Sequence, residues 1–167
     1  MQAIKLKITG TAALLMHSDK FADPLNEDYK AHAALVKRWK KEKTDDLARQ
    51  VAESEWHGGL YFDADLGPYL PGQMIKAALA KGASMSRKGR DVKRGVLVFE
   101  DKIRLDYEGP RTADALYADK RHVDVRSVGV SGSKIMRYRP KFPKWSVELN
   151  VFFNPELVDR DALIGYA

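Results

Sequence analysis

The densest set of side chains that could do chemistry lies between residues 134 and 145, where cations alternate with aromatic rings. Ammonium and guanidinium groups pair with phosphates, and aromatic faces stack on unpaired bases. The segment therefore predicts contact with a single-stranded nucleic acid. Phe142 and Trp145 also suit a protein core that leads into the next strand. The predicted contact residues are Lys134, Arg137, Tyr138, Arg139 and Lys141.

A second cationic cluster surrounds Gly89, in a polar stretch from Ser84 to Arg94 that we expect to be a loop. Such a loop could wrap a nucleic-acid backbone and pair with several phosphates without reading bases. The alternative is an ordinary solvated loop. The predicted contacts here are Arg87, Lys88, Arg90, Lys93 and Arg94, and Arg126 joins them from a later strand-like run.

One group of residues has the types required for catalysis. His17 is followed by Asp19 and Asp23, so it is the weak candidate for a general base. A single loop histidine beside two aspartates is usually polar surface, and the chain has no cysteine for a thiol nucleophile or thiolate metal site. We therefore expect a protein without catalysis, metal or cofactor.

The charge is uneven along the chain. The net formal charge is +6, and residues 86 to 145 hold sixteen Lys or Arg against eight Asp or Glu. A clustered excess of positive charge favours a polyanionic partner, because each neutralised phosphate releases counterions. No apolar run approaches the roughly 20 residues of a membrane span. We expect a soluble, cytoplasmic protein with no membrane partner.

Periodicity predicts the elements that position these residues. Ile4, Leu6 and Ile8 alternate with polar residues as in a strand, and residues 145 to 153 alternate most clearly. A helical hairpin is predicted over 24 to 56, with Asp23 and then Thr44 as N-caps. The remaining predictions are a helix from Met74 toward Gly82, strands over 96 to 100 and 103 to 107, an irregular or bulged strand pair changing phase at Ser127, and a last helix capped by Asp159 or Asp161.

This order of elements predicts an α+β fold in one domain, residues 1 to 167. It matches most of a ferredoxin-like βαββαβ unit with an antiparallel sheet, interrupted by the 24 to 56 hairpin and a 108 to 144 excursion. The fourth strand of such a unit is missing. The absence is compatible with a truncated chain, an open sheet edge that a neighbour covers, or an error in the predicted strands.

The segment from Tyr69 to Leu79, with the opening strand and the run from Arg94 to Asp101, resembles the RAMP superfamily of CRISPR effector backbone subunits. The resemblance implies an RNA-recognition-like core that binds single-stranded RNA, or another single-stranded nucleic acid, within an antiviral ribonucleoprotein. It implies that Pro71 and Gly72 set the start of the first helix and that Lys76 faces the RNA. The 108 to 144 excursion would be the thumb, and the subunit would form a homo-oligomer or join a larger complex.

Two alternatives remain open at this point. The chain could be a phage or mobile-element protein of the same fold that interferes with such complexes through protein contacts. Some members of the superfamily are endoribonucleases with a histidine base, so a ribonuclease acting through His17 is the third reading.

Overall fold

The computed structural model describes residues 1 to 130 and 132 to 166. Ser131, inside the predicted excursion, and Ala167, the last residue of the predicted domain, lie outside the described residues. The chain forms two compact units. The core unit comprises Met1–Gly10, Asp65–Asp106 and Ser146–Ala167, and the insertion unit comprises Thr11–Ala64 and Tyr107–Trp145. The two segments predicted to interrupt the fold thus supply most of the insertion unit.

The described residues combine helices with antiparallel sheets, as the sequence predicts. The strands are β1 (Gln2–Thr9), β2 (Leu14–Leu15), β3 (Phe62–Asp63), β4 (Gly67–Pro71), β5 (Val96–Leu97), β6 (Lys102–Tyr107), β7 (Val123–Val130), β8 (Ser133–Phe142) and β9 (Trp145–Phe153). The α-helices are α1 (Glu27–Glu42), α2 (Asp45–Gly59), α3 (Gly72–Ser84), α4 (Gly89–Gly95), α5 (Ala113–Ala118) and α6 (Arg160–Gly165). None of the helices described is long and apolar enough to cross a membrane.

The sheet of the core unit has the strand order β1-β9-β6-β4, and β5 also pairs with β9. β1 is antiparallel to β9 over its full length, from Gln2 opposite Phe153 to Thr9 opposite Ser146. The predicted alternation in both strands is confirmed. The buried face carries the core, which includes Leu6, Leu149 and Val151. Since β1 stands at the end of the order, its second edge has no strand neighbour among the described residues.

The opposite face of this sheet is open. It carries Lys5 and Lys7 of β1, which stand opposite Asn150 and Glu148 of β9. Phe152 follows on the same face, because side chains alternate between the two sides of a strand. Lys102, Arg104 and Asp106 are the exposed positions of β6, between buried residues.

Helix α3 confirms the predicted helix and begins directly after β4. Pro71 is its N-cap, and the first residue, Gly72, donates its backbone N–H to the Asp101 carbonyl at 3.2 Å. A Cβ atom at Gly72 would lie 2.0 Å from the Glu100 carbonyl oxygen. Only glycine fits this approach of two backbones. Ile75 and Leu79 of α3 are buried in the core of the unit.

The stretch from Ser84 to Arg94 is not the predicted loop throughout, because residues Gly89–Gly95 form α4. The helix holds three cations, Arg90, Lys93 and Arg94, and its apolar residues show no helical period, so the sequence does not predict it. Gly89 allows it to start close to α3, since a Cβ atom there would lie 2.3 Å from the Ser84 Oγ and 2.8 Å from the Ala80 carbonyl oxygen. Val92 is its fully buried anchor.

In the insertion unit, α1 and α2 form the predicted helical hairpin. Thr44 caps α2 as predicted, with its hydroxyl accepting from the Leu47 N–H at 3.3 Å. The prediction that Asp23 caps α1 is wrong. The cap is Asn26, whose side chain accepts from the Asp28 N–H at 2.9 Å, while Asp23 closes a turn by accepting from the Leu25 N–H.

The predicted excursion holds α5 and a regular β-hairpin of β7 and β8. The predicted bulge is wrong, because the register runs without interruption from Val123 opposite Pro140 to Val130 opposite Ser133. β2 extends this sheet through Leu14 opposite Phe142. Trp56 of α2 is fully buried in the unit, and its indole N–H donates to the His122 carbonyl at 3.0 Å.

Candidate nucleic-acid interface

The cationic cluster of the core unit occupies the turn after α3 and the surface of α4. Backbone N–H groups of residues 85 to 88 donate back to the last turn of α3, and Arg87 adopts a left-handed conformation with φ 62°. The turn and the short helix place the predicted contact side chains together on the surface of one unit. All five are exposed: Arg87, Lys88, Arg90, Lys93 and Arg94.

Most of these cations are available to a ligand. Lys88 pairs with Asp91 at 3.3 Å, an exposed contact three residues apart. Exposed pairs of this kind contribute little and exchange readily. The other four form no ion pair within the described residues. Lys76, also predicted to face RNA, is a half-buried residue of α3.

The second predicted cluster lies on the β7–β8 hairpin of the insertion unit, and its arginines are more occupied. Arg126 pairs with the buried Asp124 on its own strand, at 2.8 Å. Arg137 pairs with Glu55 of α2. Arg139 stands opposite Asp124, and its half-buried guanidinium keeps an Nε without a hydrogen-bond partner among the described residues.

Glu55 is the residue that sequence reasoning missed here. Its side chain is 13% exposed, and its carboxylate accepts from the Arg137 guanidinium at 2.5 Å and from the Tyr138 backbone N–H at 3.3 Å. It thereby ties α2 to the middle of β8. Arg137 consequently serves the fold of the insertion unit, and the hairpin presents less free charge than its sequence suggests.

The remaining residues predicted on the hairpin differ in exposure. Lys134 is exposed, while Tyr138 and Lys141 are half-buried. The backbone carbonyl of Lys141 lies 2.9 Å from the Nδ1 of the buried His122. Phe142 is fully buried and belongs to the core. The aromatic residues of this segment therefore offer less stacking surface than the sequence suggests.

The residues proposed for catalysis lie in the first segment of the insertion unit. His17 is exposed on the insertion unit, Asp19 belongs to a 3-10 turn, and the Asp23 carboxylate accepts from the Leu25 backbone. Among residues 1 to 130 and 132 to 166, no three histidine, aspartate or glutamate side chains are grouped to hold a metal ion.

A different histidine contact joins the two long helices of the insertion unit. The His32 Nδ1 lies 3.2 Å from the Ser54 hydroxyl, and the His32 ring stacks on Phe21 at 4.7 Å between centroids. Burial lowers the pKa of His32, partly opposed by the charge of Glu55. The contact between His32 and Ser54 joins α1 to α2.

Comparisons with protein-family models, curated proteins and solved structures give no match for this chain. The resemblance to the RAMP superfamily therefore stays a prediction.

Proposed function

We propose that this chain binds single-stranded RNA by its phosphate backbone, without catalysis, as a RAMP-like subunit of a ribonucleoprotein of the CRISPR effector type. The cluster at α4 carries the proposal. Five exposed cations stand within eight residues, and a single carboxylate, Asp91, stands among them. Such a surface suits successive phosphates and carries little information about base sequence.

The topology of the core unit also supports the proposal. β1 and β6 are separated in the sheet by β9, and α3 lies between β1 and β6 in the chain. This is the arrangement of a split βαβ unit, the building block of ferredoxin-like folds. With β9 and α6, this order supports a ferredoxin-like core, in which the outer edge of β1 has no strand neighbour among the described residues.

The decisive measurement is fluorescence anisotropy of labelled single-stranded RNA, matched DNA and duplex over a salt series. About five phosphate contacts predict a log-log slope of binding constant against salt near -3.5 for a single strand, at roughly -0.7 per contact. The triple variant Arg87→Ala, Arg90→Ala, Lys93→Ala should reduce the slope by about 2.

The matched control is Lys37→Ala, Lys40→Ala, Lys41→Ala on α1, which removes the same charge from exposed cations of the insertion unit. The control should keep most of the slope. Equal losses in both variants would mean that total charge governs binding, and the α4 interface would be rejected. Absence of RNA binding at low salt would reject the function itself.

A second candidate function is binding of a protein partner, as expected for an interfering protein of phage origin. The specific observation is the eight-residue edge strand β1, free on one side within the described residues. An exposed edge can accept a strand from another chain. Sedimentation velocity of the RNA-free protein tests self-pairing at this edge, and a concentration-independent monomer would oppose it.

A further inference from the structure

The open face of the core sheet carries an aromatic pair that the core does not require. Phe99 follows β5 and is 65% exposed, and its ring lies 4.9 Å from that of Phe152 of β9, at 64° between planes. The buried neighbours of Phe152, Val151 and Phe153, already fill the core side of the strand. A large exposed phenylalanine in edge contact with a half-buried one offers its own ring face to solvent.

Several cations lie on the same face of the sheet as this pair. Lys5 and Lys7 both approach the Glu148 carboxylate, at 3.0 and 3.4 Å, with side chains more than half exposed. Because one carboxylate serves two ammonium groups, one positive charge stays uncompensated there. Arg104 is exposed on β6 and forms no ion pair within the described residues, and Lys102 lies 5.4 Å from the centre of the Tyr69 ring.

The carboxylates of the face are engaged locally. Glu100 Oε1 accepts from the Asn150 backbone and side chain at 3.2 and 3.3 Å, and Asp106 accepts from the Ser146 hydroxyl at 3.4 Å. Hydrogen bonding and charge from Lys5 and Lys7 hold the pKa of Glu148 below its usual range. The face therefore offers cations at its margin and aromatic rings within it.

We propose that this open face is a stacking platform for unpaired RNA bases, with Phe99 and Phe152 under the bases and Lys5, Lys7 and Arg104 at the flanking phosphates. The platform rests on the proposed function and adds to it the way in which bases are held. Aromatic side chains stack on any base, so the platform grips a single strand with little sequence preference and excludes a duplex, whose bases are already stacked.

The platform is within reach of the α4 cluster. Phe99 follows Arg94 by five residues, so their Cα atoms are at most about 18 Å apart. A strand whose phosphates contact α4 can therefore place a base on Phe99 a few nucleotides further on. Both features belong to the core unit, and one RNA can use them together.

The test uses the full chain and a short oligoribonucleotide with one 2-aminopurine, placed in turn along the sequence. Stacking contributes roughly 1 to 3 kcal/mol per base, so Phe99→Ala should weaken binding by about 5- to 150-fold. The salt slope should stay unchanged, since no phosphate contact is lost. The 2-aminopurine fluorescence change on binding should disappear at one position only, and Phe99→Trp should retain both affinity and signal.

The matched control is Leu25→Ala, which truncates an exposed apolar side chain of the insertion unit. Circular dichroism of each variant verifies folding. The platform is refuted, while RNA binding stands, if Phe99→Ala binds as tightly as the wild type. It is also refuted if the loss of affinity in Phe99→Ala is accompanied by a smaller dependence of the binding constant on salt. If the wild-type chain does not bind the probe at low salt, both proposals fail.

Discussion

Replacement of Glu55 by alanine should destabilise the insertion unit much more than replacement of its neighbour Glu53. The Glu55 side chain is 13% exposed and accepts two hydrogen bonds, from Arg137 and from the Tyr138 backbone. An ion pair with a partner 38% exposed contributes at most about 1 kcal/mol. A bond from a backbone N–H to a charged acceptor adds about 1.5 kcal/mol. Together they predict a loss of about 2 kcal/mol.

The assay is urea unfolding at pH 7, followed by tryptophan emission. All three tryptophans, Trp39, Trp56 and Trp145, belong to the insertion unit, so their emission reports on that unit. With a slope of about 2 kcal/mol per molar urea, Glu55→Ala should move the midpoint by about 1 M. Glu53→Ala, on the exposed side of the same helix, should move it little.

A double-mutant cycle with Arg137→Met separates the ion pair from the backbone contact. A coupling free energy of about 0.5 to 1 kcal/mol is expected for the pair, since Arg137 is partly solvated. Equal midpoint shifts for Glu55→Ala and Glu53→Ala would refute the reasoning, because the carboxylate could not then be the tie between α2 and β8.

Two further predictions concern Gly72 and His32. Gly72→Ala should lower the free energy of unfolding by about 3 kcal/mol, because its Cβ atom would lie 2.0 Å from a backbone oxygen. Thermal melting should show a Tm lower by about 6 °C or more. The control variant Gly129→Ala should melt near the wild type, because a Cβ atom there would face open space. The pKa of His32 is lowered in the folded state, so between that pKa and 6.5 the unfolded chain binds more protons than the folded chain. The free energy of unfolding should therefore fall as the pH drops below about 6.5. Urea titrations at several pH values should show a weaker pH dependence for His32→Gln. An unchanged pH profile in that variant would remove His32 as the cause.

Elements with one buried face could be predicted from the sequence. β1 and β9 follow the alternation of apolar residues, and α3 follows its buried stripe, because burial on one side imposes a period on each. Helix α4 has a single fully buried apolar side chain, Val92, so its sequence shows no helical repeat of apolar residues. Its start depends on how closely Gly89 approaches α3, which only the tertiary structure defines.

The bulge expected at Ser127 shows that a segment without a buried face is poorly predicted from its sequence. Toward its tip, the β7–β8 hairpin is mostly exposed on both faces, with Val130 and Met136 in solvent. Without a buried face the apolar pattern does not constrain the register, and a change of phase there carries no structural meaning.

The candidate sites were predictable to different degrees. The cations of α4 are visible in the sequence, but the contact between Glu55 and Arg137 joins residues 82 positions apart and has no local signal. The exposure of Phe99, by contrast, could have been predicted from the sequence. In the predicted strand 96 to 100 it has the parity opposite to Val96, which would place it outward, on the face away from the core.

The pairing of β1 with β9 has a consequence for how the chain is made. The first strand leaves the ribosome about 136 residues before its partner begins, a delay of roughly 7 to 30 seconds at 5 to 20 residues per second. During that time Ile4, Leu6 and Ile8 have no sheet to join. The lysines between them discourage pairing with other nascent chains, so Lys5→Val and Lys7→Val together should lower the yield of folded protein as well as remove two proposed phosphate contacts.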